Sequence, residues 1–98
     1  MKILAMEREV PGITAADCQP YLQAEAASAW ELYQAGVIRE LYFRPDRHEA
    51  VLILECAGMD EAQAILATLP LVKEKLITFE VIPLIPYPGF SRLFAVGR

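Results

Sequence analysis

Glu80 is the first residue in this chain whose surroundings suggest chemistry. It interrupts the apolar run Phe79-Glu80-Val81-Ile82-Pro83-Leu84. In an extended segment it shares a face with Ile82 and Leu84. A carboxyl among aliphatic neighbours loses hydration, which raises its pKa and suits a general base near neutral pH. The competing reading is an edge-strand glutamate facing water or paired with an arginine. Arg44 and Arg47 are candidate anchors for an anionic substrate, because the guanidinium fork matches a carboxylate. Arg44 shares a face with Glu40 and Tyr42, so a cross-strand ion pair is its alternative use. His48 is the only histidine and can titrate near neutrality. It closes Pro45-Asp46-Arg47-His48, a turn sequence in which an imidazole is ordinarily solvated. Trp30, Tyr33 and Tyr42 could line a pocket, with core packing as the competing use of Trp30.

Other chemistries have less to stand on. Cys18 and Cys56 form no CxxC pair, and one histidine beside them makes no zinc site. Both read as small inert hydrophobes, although a thiol near a helix start, as Cys18 is, can have a lowered pKa. Gly12, Gly36, Gly58, Gly89 and Gly97 are scattered turn glycines, so no phosphate-cradling loop is expected. The formal charge is −4 with no basic cluster. That excludes a nucleic-acid footprint and disfavours anionic membrane surfaces. No apolar run reaches the roughly 18 residues of a membrane span. Met1 to Met6 is too short for a signal peptide and is closed by Glu7-Arg8-Glu9. A reduced, cytoplasmic setting is the expectation.

The elements that must position these residues fit one domain of 98 residues. Lys2 to Glu7 reads as a strand, ended by Val10-Pro11-Gly12. Thr14 is a helix N-cap with Asp17 as an imperfect capping-box partner, and Pro20 belongs in the first turn. The helix runs to about Ala35, with Leu22, Ala26, Ala29, Tyr33 and Val37 on one side, Trp30 on its shoulder, and Gly36 as the terminator. Val37 to Arg44 and Glu49 to Cys56 read as a strand pair across the Pro45–His48 turn. Asp60 starts a second helix, carrying Ala62, Ile65, Leu66 and Leu69 up to Pro70. Lys73-Glu74-Lys75 reads as a solvated connector. Phe79 to Leu84 is the last strand, and Pro83 places it near an edge or a strand end. Residues 85–98 form a tail too broken for regular structure. Its Tyr87, Phe90, Leu93 and Phe94 predict docking on its own or a partner subunit.

This β-α-β-β-α-β order defines a ferredoxin-like α+β domain over residues 1–84 with an antiparallel sheet. The strand Ala50-Val51-Leu52-Ile53-Leu54 is apolar at every position, so both of its faces should be covered. Helices can cover one face. A second copy of the sheet can cover the other, and 55% hydrophobic residues in so small a chain call for such an outlet. The expected assembly is a homodimer or a higher homo-oligomer.

The order of elements resembles the dimeric α+β barrel group. Within it, four local features are similar to the muconolactone isomerase family. These are Glu31-Leu32 leading to Gly36, the strand pair across Arg44 to His48, Leu69-Pro70-Leu71, and Phe79-Glu80-Val81-Ile82-Pro83-Leu84. The resemblance covers roughly residues 20 to 88. It implies a cofactor-free isomerase that moves a proton on an unsaturated lactone and assembles through paired sheets. Glu80 and Arg47 match charged positions of that pattern. The expected activity is therefore proton transfer on a small carboxylated lactone or ring compound. Glu80 would be the base, His48 a second catalytic candidate, and Arg44 or Arg47 the anion anchor. Two alternatives differ in class. One is a non-catalytic small-ligand-binding or scaffold protein of the same fold. The other is a haem-binding or oxygenase relative, for which His48 is the only imidazole ligand.

Overall fold

The structure, a computed structural model, describes residues 1–94. Strand β1 (Lys2–Glu9) leads to a short helix α1 (Ala15–Cys18), a 3-10 turn (Gln19–Tyr21) and the long helix α2 (Leu22–Gln34). Strands β2 (Ile38–Phe43) and β3 (Ala50–Glu55) form the hairpin. Helices α3 (Met59–Leu66) and α4 (Pro70–Lys73), strand β4 (Ile77–Leu84) and a 3-10 turn (Gly89–Leu93) complete the chain. The four strands make one antiparallel sheet in the order β2-β3-β1-β4. This is the expected ferredoxin-like α+β fold.

Local chemistry explains the element ends. Thr14 and Asp17 form a complete capping box, each side chain accepting from the other's backbone N–H, at 3.3 and 2.8 Å. Pro20 sits in the 3-10 turn that divides the expected single helix into α1 and α2. At the end of α2, Gly36 has φ +80°. Its N–H bonds the Tyr33 carbonyl, and the Val37 N–H bonds that of Leu32. This is the left-handed glycine stop expected there. The 73–75 segment is not a plain connector. Lys73 ends α4, and Lys75 takes φ 60° in the same left-handed role, with the Leu76 N–H reaching back to the Leu71 carbonyl. The second helix also departs from a continuous run: α3 ends at Leu66, and Leu69 caps α4, with Pro70 in its first turn.

Strand register divides the sheet into two faces. Ile3, Ala5 and Glu7 on β1 align with Leu54, Leu52 and the Ala50 end of β3, and with Pro83, Val81 and Phe79 on β4. This inner face carries the core, where Ile3, Ala5, Ile38, Leu52 and Leu54 meet Ala62, Leu66 and Leu69. The outer face carries Leu4, Met6, Val51, Ile53, Ile82 and Leu84, all half-buried. Ile85, Tyr87, Phe90, Leu93 and Phe94 of the tail are 66–80% exposed, so these five side chains are not packed on their own chain. Part of it is regular after all, as the 3-10 turn. The expectation for residues 95–98 lies outside the described residues.

Candidate active site

Helix α2 crosses the inner face without closing on it. None of its residues is buried. Its Ala29 and Leu32 pack against the core, whereas Leu22, Ala26, Trp30 and Tyr33 line a gap above the sheet. The opposing wall is Ile38, Leu41, Phe43, Ala50, Leu52 and Phe79, and the cleft between them measures about 920 Å³. Small residues make the space: Ala26 and Ala29 on the helix and Ala50 on the strand reach too little toward one another to fill it. Trp30 is therefore not a core residue. It is 57% exposed and stacks on Tyr33 at a ring separation of 5.9 Å. On the other wall Phe43 stacks on His48 at 4.1 Å.

Glu7 and Glu25 enter this apolar cleft from opposite walls. The β1 alternation Ile3, Ala5, Glu7 puts the Glu7 carboxyl on the inner face just where the β1–β3 ladder ends. There its Oε1 accepts the Ala50 N–H at 3.0 Å. Glu25 lies on the α2 stripe, and its Oε1 accepts the Leu71 N–H at 2.9 Å, at the start of α4. Burial pushes both carboxyl groups above the usual glutamate range, and the backbone N–H to each only partly offsets it. Glu49 and Glu25 raise Glu7 further by repulsion, while His48 draws it down. Glu49, 3% exposed, accepts the Glu9 N–H through Oε2 at 3.1 Å. Its Oε1 makes no hydrogen bond among the described residues.

The expected site residues separate into two groups. His48, Trp30, Tyr33 and Tyr42 all line the cleft. The Tyr42 hydroxyl donates to Glu40 at 2.7 Å. Glu80 does not line it. Alternation does put Glu80 beside Ile82 and Leu84, but that is the outer face, where it is 52% exposed and pairs with Arg8 at 2.7 Å. The apolar setting expected for a base is absent there, because both charges are open to water. Arg44 and Arg47 also stand outside the cleft. Arg44 grips Asp46 through two hydrogen bonds of 3.0 and 2.6 Å, and both guanidinium groups approach Glu49 at 3.7 and 3.8 Å. Arg44 is thereby engaged in the hairpin turn, while Arg47 stays exposed and approaches Asp46 only at 3.9 Å. Cys18 lines the cleft, and burial with four nearby acidic groups pushes its thiol up, against the lowered value its helix-start position suggested.

Sequence reasoning missed Glu7, Glu25 and the rim residue Arg39. Glu7 reads as the end of an apolar run, yet period-two alternation from Ile3 assigns it the core face. Glu25 sits three residues from Leu22 and four from Ala29. A lone charge on an apolar helical stripe was the available signal.

A four-stranded antiparallel sheet carrying both helical crossovers on one face, with a carboxyl-bearing cleft beneath the first, defines a ferredoxin-like α+β protein. A family model described as muconolactone delta-isomerase matches residues 3–89, and the chain belongs to that family. Membership supports an isomerase-like or related enzyme. A crystal structure of a muconolactone isomerase superposes with TM-score 0.74 at 19% identity, covering 91% of this chain and 93% of the other. A 5-chloro-2-hydroxyhydroquinone dehydrochlorinase from Burkholderia phenoliruptrix, in complex with 2,5-dihydroxybenzoquinone, superposes with TM-score 0.65 at 19% identity. It covers 91% of this chain and 98% of the other. No curated protein matches the chain. Among the described residues no helix is long and apolar enough to cross a membrane, and no group of three or more His, Cys, Asp or Glu side chains could hold a metal ion.

Proposed function

We propose that the protein is a cofactor-free isomerase that moves a proton on a lactone or related small ring compound, with Glu25 and Glu7 as its acid–base pair. One observation carries this reading. Two half-buried carboxyl groups, raised by desolvation, face one apolar cleft, and each is held by a single backbone N–H. Each has a second oxygen left for substrate. A carboxyl raised by desolvation acts as a base when ionised and as an acid when protonated, so the two groups can divide these roles. The ionised carboxylate takes a proton from carbon next to the ring carbonyl. The electron pair shifts through the conjugated system, and the protonated partner delivers its proton to the far carbon. The double bond has moved and no redox partner is needed. Trp30, Tyr33, Tyr42 and His48 would hold the ring.

The test is deuterium incorporation and double-bond migration in an unsaturated γ-lactone, followed by NMR in heavy water. Glu25→Gln keeps the acceptor for the Leu71 N–H and should lower the rate by about 10²-fold or more. Unchanged exchange in both Glu25→Gln and Glu7→Gln would remove the pair from the chemistry. The rival reading, a non-catalytic ligand-binding or scaffold protein, draws on the same apolar walls and leaves the two carboxyls only the backbone N–H groups they accept.

The outer face supports self-association. Leu4, Met6, Val51, Ile53, Ile82 and Leu84 form a half-buried aliphatic field that no helix among the described residues covers. A homodimer pairing these faces closes the barrel expected of the fold, and the exposed Tyr87, Phe90 and Phe94 then dock on a partner subunit. Sedimentation as a monomer at every concentration would dispose of both. The free thiols Cys18 and Cys56 suit a reducing, cytoplasmic compartment.

A further inference from the structure

The β1–β3 ladder stops at Met6 and Val51, and two side chains take over where it stops. The Glu7 carboxyl crosses to β3 and accepts the Ala50 N–H at 3.0 Å. The Glu49 carboxyl crosses the other way and accepts the Glu9 N–H at 3.1 Å. Each side of the opened ladder thus satisfies a backbone donor of the other through a carboxyl. Glu7 has a use in the acid–base pair, but Glu49 has none there. It is the one buried charged residue among the described residues. Its carbonyl accepts the Arg44 N–H at 3.0 Å, and its own N–H donates to the Arg47 carbonyl at 2.8 Å, which closes the hairpin. Its Oε1 makes no hydrogen bond among the described residues and faces the Arg44 and Arg47 guanidinium groups at 3.7 and 3.8 Å. The residue before it, His48, stacks on Phe43 and lines the cleft. A carboxyl buried with so few partners is costly, and an uncharged residue could close the same hairpin without that cost. The charge therefore points to a use beyond folding.

We propose that Glu49 is a positioning residue for the reaction proposed above: it clasps the hairpin turn to the end of β1 and sets a second negative charge beside the Glu7 carboxyl. This rests on that reading, in which Glu7 meets the substrate, and adds the group that governs Glu7. Glu49 does not line the cleft, so it acts through Glu7 rather than on the substrate. The groups around Glu7 come from several elements. Glu49 and His48 face it from the hairpin with opposite effects, and Glu25 repels it from α2. Cys18 of α1 and Arg39 of β2 line the same cleft. The Cys18 thiol is pushed up, so it carries no charge near neutrality. Strand β4 sets only the apolar Phe79 opposite Glu7. Of all these, Glu49 alone both repels Glu7 and shares its backbone clasp. Neutralising Glu49 removes the repulsion and leaves Arg44 and Arg47 less balanced. Both changes favour an ionised Glu7, so they act with one sign.

NMR titration of the glutamate carboxyl carbons in the full chain tests it, beside the pH profile of deuterium exchange on the γ-lactone. Glu49→Gln keeps an acceptor for the Glu9 N–H and loses the charge. Its Glu7 midpoint should fall by about half a pH unit or more. The acid limb of the kcat profile should move down by the same amount. Glu49→Ala loses the clasp as well, so its kcat should fall about tenfold or more below that of Glu49→Gln, with KM changed less than about threefold. A residue that only stabilises the fold would lower the melting temperature of both variants and leave the Glu7 midpoint where it was. That result overturns the proposal, as does a raised midpoint in Glu49→Gln or an equal kcat in the two variants. If neither variant folds, the native protein gives the answer. Its Glu9 and Ala50 N–H groups should exchange with heavy water at least about tenfold more slowly than in an unstructured peptide. Unprotected exchange at both overturns the clasp. The failure of the isomerase reading looks different. A Glu7 midpoint that falls in Glu49→Gln while no lactone exchanges removes the isomerase and keeps the hold of Glu49 on Glu7. Lactone exchange whose acid limb is unmoved in Glu49→Gln keeps the isomerase and removes the role of Glu49.

Discussion

Helices α2 and α3 face the same side of one sheet, but only the shorter of them buries side chains fully there. Helix α3 has 8 residues and buries Ala62 and Leu66 against the core. Helix α2 has 13 residues and buries none. Ala29 and Leu32 pack against the core from it, but Ala26 stands where a larger side chain would close the contact. Half of the fold is thereby close-packed and half is left open over two desolvated carboxyl groups. Close packing and open space are separated across one sheet face, and the size of a few side chains decides which half is which.

Substitutions that exchange the character of the two helices should have the largest effects. Leu66→Ala removes a side chain that is 4% exposed and should cost about 2–5 kcal/mol in a denaturant melt, through lost transfer energy and the cavity left behind. Ala26→Leu on the other helix adds bulk of the same kind to open space. It should change stability by less than about 1 kcal/mol while lowering deuterium exchange on the lactone by about tenfold or more, because the new side chain occupies the cleft rather than overpacking a core. If Ala26→Leu destabilised the protein as much as Leu66→Ala, the two halves would not differ in packing.

The next effect is electrostatic. Glu7 and Glu25 both titrate above the ordinary glutamate value of 4.5. As pH rises past that value the unfolded chain releases these protons first, while the folded chain still holds them. The unfolded state then binds fewer protons, so their contribution to stability falls with rising pH and stays lost above their folded values. Glu25→Gln removes one such group without removing the acceptor for the Leu71 N–H. In melts from about pH 4 to about pH 8 the variant should therefore gain on the native protein as pH rises. A difference independent of pH would mean that the cleft does not desolvate this carboxyl. Asp46 and Glu55, held low by Arg44 and the N-terminal ammonium, slope the opposite way but are shared by both proteins and cancel in the comparison.

How much of this was legible follows the same division. Where one residue type answers to one local rule, sequence and structure agree. Gly36 ends α2 in the left-handed region, and Pro83 lies on the edge strand β4. The Thr14–Asp17 capping box opens α1, and the four strands fall in the expected order along the chain. Family membership over residues 3–89 agrees with motifs that were mostly structural. The site was less legible, because it depends on where two elements fail to touch. An aromatic-rich stripe such as Trp30 with Tyr33 has the same periodicity whether it meets a sheet or stops short of it. Alternation fixed Glu80 relative to Ile82, but not which face the helices would cover. The signal for that was in β1, where Ile3 and Ala5 share a face with Glu7.

Glu80 supplies the smallest effect and the sharpest contrast with Glu25. Both are glutamates on regular elements beside aliphatic neighbours, and only the face differs. Glu80 pairs with Arg8 where both side chains are about two-fifths or more exposed. Surface pairs of this kind contribute about 0–1 kcal/mol, because water competes for both charges and the two side chains must be ordered to meet. Glu80→Gln should therefore shift a denaturation midpoint only slightly and leave deuterium exchange on the lactone unchanged, while Glu25→Gln removes most of it. A large loss of exchange in Glu80→Gln, with the fold and the oligomer intact, would move the reacting centre to the outer face. The cleft under α2 would then be a structural gap, and the difference between the two helices would have no bearing on catalysis.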